Sequence, residues 1–247
     1  MTGRLSADHP FAALYAGIDR YYTHKVKLHG ATPLGVDWPC VPTQELRFEQ
    51  LLRVHRFDGA PFSLNDIGCG YGALLAFLAR RYRHTHIDYF GVDLSAAMVA
   101  QARGLWHKRP LTEFLVAGAG PRTADYSVAS GIFNVKLDQP QALWESFVAG
   151  TLADMRNNSR NGFAVNFLAP PASGEAGPPE LYRAPIERWQ RHCEQALGAT
   201  VEVLQDYGLP DEYTLLVRTS ALQEPGHGAH RAINCARRPL SLTSPDS

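Results

Sequence analysis

Two carboxylates and a cluster of glycines are the residues whose spacing suggests chemistry. In "SLNDIGCGYGALLAFLARR", residues 63–81, Asp66 is followed by Gly68, Gly70 and Gly72 at alternate positions, between an apolar run and a helix-like run. Glycine loses more backbone entropy on folding than any other residue, so a cluster implies unusual dihedrals or a close approach of main chain to something bound. Asp93 closes the next apolar run, "IDYFGVD". A carboxylate at that place can accept both hydroxyls of a ribose. A glycine turn between strand and helix, with an acid at the end of the neighbouring strand, is how a doubly wound sheet holds a nucleotide-like group.

The elements that position these residues alternate. "FSLNDIG" reads as a strand, residues 73–82 as a helix, "IDYFGVD" as a strand, "SAAMVAQARGLW" as a helix with Ser95 as its N-cap, and "TEFLVAG" as a strand. "YSVASGIF" follows as a strand, residues 141–157 as a helix and "GFAVNFLA" as a strand. Alternation of this kind predicts a parallel sheet covered by helices on both faces. The last third differs: after the loop "PPASGEAGPP" and the helix "APIERWQRHCEQAL", two strands, "TVEVLQDYGL" and "EYTLLVRTS", are joined too closely for a crossover helix. That pair must be antiparallel. Ahead of the sheet, Phe11, Leu14, Tyr15, Ile18, Tyr21 and Tyr22 predict an amphipathic helix to about Lys27. An ordered loop follows, and then a second helix, "TQELRFEQLLRVHRF", capped by Thr43. Residues 1–42 are thus expected to form an N-terminal helical cap, 43–220 the sheet domain, and 221–247, rich in Gly, Pro, Ser and Arg, a disordered tail.

Composition bounds the function. A chain of 247 residues, 45% of them hydrophobic, can bury a core in one domain. Lys plus Arg and Asp plus Glu both number 24, so no overall field draws in nucleic acid or an anionic membrane. The four cysteines, Cys40, Cys69, Cys193 and Cys235, are far apart and form no CxxC pair, which suggests neither a zinc site nor a disulfide framework. No apolar run approaches a membrane span or a secretory signal, so a cytoplasmic location is expected.

The glycine run can be written GxGxG, or GxGxxA with Ala73, and the second form also suits a dinucleotide. Asp93 fits NAD or an adenosine cofactor equally. The long segment before the first strand, and above all the closing antiparallel pair, favour S-adenosylmethionine. "NDIGCGYGAL", "GVDLSAAMVAQAR" and "DYSVASGIFNV" resemble successive motifs of the class I S-adenosylmethionine-dependent methyltransferases, over residues 43–219. "TPLGVDW", "QELRFEQLL" and "SGIFNVK" are similar, more narrowly, to a sparsely characterised bacterial subgroup of that family. The resemblance implies a Rossmann-like, doubly wound, mostly parallel seven-stranded α/β sheet of order 3-2-1-4-5-7-6 with strand 7 antiparallel. It implies that Asp66, Gly68, Cys69 and Gly70 surround the methionine end of the cofactor, Asp93 its ribose, and Leu94 and Met98 its adenine. Family members often place an acid after the third strand to receive the adenine amino group. Here Gly118 and Ala119 stand in that segment, with Ala119 at the place of the acid, so either backbone groups near Gly118 read the ring or the loop is shifted.

Methyl transfer from a sulfonium is an in-line displacement from an activated donor, so alignment matters most and a base only where the acceptor must lose a proton. Ser130, Gly131, Phe133 and Asn134 lie at the relevant edge after the fourth strand. The cap supplies Tyr21, Tyr22, His24, Lys25, His29, Asp37 and Trp38. Ser130 and Gly131 are expected on the cofactor, and Tyr22, His29 and Asn134 are the candidate catalytic residues, with no metal. For the aromatics the plainer role is core packing, for the histidines solvation, and Asn134 has two roles open, substrate or loop. Arg47 is a candidate partner for the methionine carboxylate, although an exposed helix arginine is the ordinary case. Tyr182 and Arg183 of "ELYRAP" are candidates for the substrate side. The leading expectation is methylation of a small molecule at O, N or C. A nucleic-acid methyltransferase is the alternative, although "SGIFN" lacks the Asn/Asp-Pro-Pro-aromatic run of enzymes acting on exocyclic base nitrogens. A scaffold protein that has lost the chemistry is a third reading, and an oxidoreductase remains conceivable from the fold.

Overall fold

The computed structural model describes residues 10–171 and 177–219. The expected disordered tail, its basic stretch "HRAINCARRP" and part of the loop "PPASGEAGPP" lie outside the described residues. Seven strands form one sheet: β1 (Phe62–Ile67), β2 (Ile87–Asp93), β3 (Thr112–Val116), β4 (Ala124–Ala129), β5 (Ser159–Leu168), β6 (Ala199–Leu204) and β7 (Glu212–Thr219). Their order is β3-β2-β1-β4-β5-β7-β6. The first five strands pair in parallel, and β7 runs antiparallel between β5 and β6. This is the expected architecture, and it follows from the short β6–β7 connection, which permits only a hairpin.

Helices α2 (Val41–Leu52), α3 (Ala73–Arg81) and α4 (Ala96–Trp106) supply the core on one face of the sheet, and α5 (Gln141–Asn157) and α6 (Ile186–Arg191) on the other. Strand residues divide between the two cores with period two. Tyr213, Leu215 and Val217 of β7 join the α5 and α6 side, and Leu216 joins the α2 and α3 side. From Tyr213 to Val217 every residue is buried, as expected of a strand covered on both faces. The cap helix α1 (Ala12–His29) places Leu14 in the α5 core and packs also on α4, which carries it across the carboxyl ends of the strands. Among the described residues no helix is long and apolar enough to cross a membrane.

Several boundaries move from their expected places. Helix α2 begins after Cys40, with Pro42 in its first turn, and the Thr43 hydroxyl donates to the Cys40 carbonyl at 3.1 Å rather than capping the helix. Proline suits a first turn because its missing N–H has no helical partner there. The fourth strand ends at Ala129, and Ser130–Asn134 form a turn. Helix α6 passes at its end into a π-helical turn, His192–Ala196.

Arg47 does not serve a ligand. Its guanidinium pairs with Glu212 at the start of β7, with both side chains almost fully buried, and Nη1 donates to the Thr43 carbonyl at 2.7 Å. The same guanidinium lies 3.8 Å over the Trp38 ring. One buried ion pair therefore fixes α2 to β7 and supports the tryptophan that enters the site. Removing one partner leaves an uncompensated buried charge. Glu212→Ala should cost about 3–5 kcal/mol in urea denaturation, whereas Arg47→Met with Glu212→Leu should recover most of that loss.

Candidate active site

Every segment of the site ends at the carboxyl edge of β1, β2, β3 or β4. After β1 the chain folds back on β2: the amides of Gly68 and Cys69 both donate to the Val92 carbonyl, at 2.8 and 2.9 Å. Gly68 holds a φ of +73°, and a Cβ there would sit 2.2 Å from the Ile132 side chain, so only glycine fits. The amide of Gly70 then donates to Asp93 Oδ2 at 2.9 Å, and the amide of Ser95 donates to Oδ1 at 2.8 Å. Asp93 thus joins the glycine turn to the start of α4. Two of its four lone-pair sites are used, which leaves acceptors for two hydroxyl donors.

These elements surround a crevice with about 930 Å³ of non-atom space, its open mouth included. Of the expected residues, Tyr22, Asp66, Gly68, Cys69, Gly70, Asp93, Leu94, Met98, Gly118, Ser130 and Gly131 line it. His29, Ala119 and Asn134 do not. Ile18 and Tyr22, four residues apart on α1, face the crevice, but His29 lies seven residues beyond Tyr22, about 10 Å farther along the axis. Helical phase put His29 on the right face; axial distance takes it away. Ala119 borders a separate small space with Ile67, Thr151 and Asp154, because the chain turns after Gly118. Asn134 sits behind Gly131, its Nδ2 3.5 Å from where a Gly131 Cβ would be.

Tyr182 and Arg183 do not reach the crevice either. Tyr182 is buried, its hydroxyl donating to Glu145 and accepting from Trp189, and Arg183 binds the Ala169 carbonyl and Asp211. They brace the edge from behind: the amide of Tyr182 donates to the Asn134 carbonyl at 2.8 Å. Phe133 is likewise a core residue, stacked on Phe167 with ring centroids 5.3 Å apart.

The crevice has further walls that the sequence reading missed: Ile18, Val36, Gln44, Tyr71, Phe147 and Thr151. Ile18 was detectable from its four-residue spacing to Tyr22. Gln44, which accepts from the Tyr71 hydroxyl at 3.3 Å, carried no signal. Trp38 enters from the loop before α2. Asp37, at a φ of +61°, turns the chain there, and Lys25 of α1 holds its carboxylate at 2.5 Å. The indole edge lies over Gly131, 2.4 Å from where a Cβ would be. The cap is also fastened at Asp93's neighbour, since Thr23 and Ser95 share a hydroxyl contact of 2.7 Å, and Thr23 donates on to Asp19.

Electrostatics follow from burial. It pushes the Asp66 carboxyl up to about 7; the Tyr89 hydroxyl donated to it opposes that shift and the nearby Asp93 adds to it. Asp93 rises to about 6 for the same first reason, the amides of Ser95 and Gly70 holding it lower than burial alone would. Tyr22 is driven far above the phenolic range by burial and by Asp37, Tyr21 and Asp93 beside it. It keeps its proton and can donate a hydrogen bond, but it does not serve as a phenolate base. Among the described residues, no lysine, arginine or histidine lines the crevice.

Residues 65–145 match the methyltransferase-domain family. Over 161 residues, 65% of this chain and 95% of the relative, the sequence is 40% identical to Mycobacterium tuberculosis "Putative methyltransferase Rv1506c". Among solved structures, magnesium protoporphyrin IX methyltransferase from Synechocystis PCC 6803 with bound SAH aligns at a TM-score of 0.61 and 12% identity, covering 86% of this chain and 100% of that one. Human N-acetylserotonin methyltransferase in complex with SAM aligns at 0.55 and 14% identity, covering 87% of this chain and 60% of that one. With this fold, and with an acid and a glycine turn meeting at the carboxyl edge, the chain belongs to the class I S-adenosylmethionine-dependent methyltransferases.

The residues present fit that cofactor: a half-open carboxylate with unused lone pairs, a glycine turn that a Cβ would fill, and apolar Leu94, Met98 and Ala117 beside them. Hydroxyl donors and a cation both favour the ionised acids, so binding would lower their pKa values. Affinity should therefore rise with pH through about 6 to 7 and level off above. Calorimetry with S-adenosylhomocysteine from pH 5 to 8 checks this, and Asp93→Asn should both weaken binding and flatten the lower part of the curve. Gly131→Ala, which sets a Cβ against the Trp38 ring at a left-handed φ, should cost about 1–3 kcal/mol in the same kind of urea denaturation.

Proposed function

We propose that this methyltransferase acts on a small-molecule acceptor, at O, N or C, bound beneath the cap. The observation that carries this reading is the lining of the crevice: Ile18, Tyr22, Val36 and Trp38 wall it from the cap, and among the described residues it has no cationic side chain. A polynucleotide acceptor calls for a track of lysines and arginines along its phosphates. The wall here is mostly apolar and aromatic, and among the described residues its charged groups are the acids Asp66 and Asp93.

S-adenosylmethionine, when bound, supplies a methyl group already activated by the sulfonium. Asp93 would hold its ribose hydroxyls, with Asp66 and the turn from Gly68 to Gly70 at the amino-acid end. Leu94, Met98, Ala117 and Gly118 would face the adenine, and main-chain groups after β3 take the place of an acid there. Ser130 and Gly131 close the cofactor side. What these residues do is hold the donor and exclude water, so that an acceptor atom entering under Trp38 meets the methyl in line with sulfur. Alignment of that kind is worth several kcal/mol. Tyr22, as a fixed donor, orients rather than deprotonates.

Two measurements test the reading. Asp93→Ala should lose at least about tenfold in affinity for S-adenosylmethionine, the scale of one hydrogen bond to a charged group. A variant that binds as wild type removes the assigned cofactor placement. With methyl-labelled S-adenosylmethionine, label should enter the low-molecular-mass fraction of a bacterial extract; label in RNA or DNA instead would transfer the function to nucleic acid.

A further inference from the structure

The amino-acid end of the methyl donor carries a carboxylate, and among the described residues the crevice wall offers it no lysine, arginine or histidine. Arg47, the expected partner, is committed to Glu212 and to the Thr43 carbonyl. Gln44, three residues earlier on α2, stands nearer the glycine turn. It is 4% exposed, yet it lines the crevice, as does Phe48 four residues on along the same helical face. Its Oε1 accepts from the Tyr71 hydroxyl at 3.3 Å. Tyr71 belongs to the turn itself, between Gly70, whose amide Asp93 accepts, and Gly72, after which α3 begins. That bond engages the amide oxygen and leaves Nε2, with two N–H donors, without a partner among the described residues. The nitrogen is not closed off by protein atoms. Since the residue as a whole is almost buried, the space it opens onto is the crevice.

A carboxylate taken out of water needs either a cation or neutral donors already turned toward it. The wall supplies the second kind. We propose that Gln44 is the residue that takes the carboxylate of S-adenosylmethionine, donating from Nε2, and that Tyr71 is the positioning residue that holds the amide oxygen away from it. The start of α3 assists, because Ala73 and Leu74 of its first turn line the same crevice and a helix N-terminus favours an anion. Asp66, near the end of β1, is left for the ammonium group. The amino acid is thus read as a zwitterion by one acid and one amide, not by an ion pair at each end. An amide in that place also adds no positive charge beside the sulfonium, which a guanidinium would.

This inference rests on the cofactor placement of the proposed function, and methylthioadenosine, which keeps the adenosyl group and lacks the amino acid, separates the two. If neither it nor S-adenosylhomocysteine binds the wild type in calorimetry, the placement itself falls, and this inference with it. Gln44→Leu should weaken S-adenosylhomocysteine at least about tenfold, the scale of one hydrogen bond to a charged group, with methylthioadenosine held within about twofold. Gln44→Glu, which sets a carboxylate against a carboxylate, should also weaken S-adenosylhomocysteine, yet it should tighten the decarboxylated analogue that keeps only the amine. Tyr71→Phe should shift the ratio of the first two affinities in the same direction as Gln44→Leu, by a smaller factor. In the wild type, the side-chain amide protons of Gln44 should move in heteronuclear NMR spectra on adding S-adenosylhomocysteine and stay in place with methylthioadenosine. That comparison needs no variant to fold. Equal losses of both ligands in Gln44→Leu, no loss of either, or amide protons that respond alike to both would overturn the assignment. An unmoved ratio in Tyr71→Phe would overturn the role of that residue.

Discussion

The carboxylate of Asp93 is the tie on which the site depends. It accepts one amide from the glycine turn after β1 and one from the start of α4. Ser95, whose amide it takes, holds the cap through Thr23. Three segments far apart in the chain thus meet at one acidic side chain, and its remaining lone pairs point to a ligand with hydroxyls. A neutral residue there would leave both amides without a charged acceptor, and the turn and the cap would lose their common anchor.

A second constraint is charge. Among the described residues no basic side chain joins Asp66 and Asp93 in the wall of the crevice, and burial raises both carboxyls. A site of this kind is destabilised when empty and ionised, and is relieved by a bound cation. A sulfonium ligand with an ammonium group meets that need.

The cap is held by interactions of several kinds. Leu14 and its neighbours bury in the α5 core, Lys25 holds the Asp37 turn, and Arg47 supports Trp38 from a helix anchored to β7. Because Trp38 lies over Gly131, β7 is mechanically connected to the wall of the crevice through Glu212 and Arg47. The arrangement makes the acceptor end a product of packing, while the cofactor end is built from turn geometry.

That difference explains what could be read in advance. The alternating elements, the glycine turn, Asp93 and the Ser95 cap were legible because each is a local matter of period, backbone dihedrals or adjacent hydrogen bonding, whereas the strand order came from the resemblance to a known family. Where local rules competed, the reading failed: Pro42 displaced the start of α2, and the axial rise of α1 removed His29 although its face was right. The partner of Arg47, 165 residues away, had no local signal. Nor did Asn166, which in sequence is only a polar interruption of an apolar strand and gains its meaning from lying beside Gly131 of the turn after β4. The sequence by itself determined the alternating frame and the glycine turn that precedes Asp93, since these follow from neighbours along the chain. Only the tertiary structure decided which side chains of the cap and of α2 line the crevice, because those contacts join residues whose separation in sequence bears no relation to their distance in space.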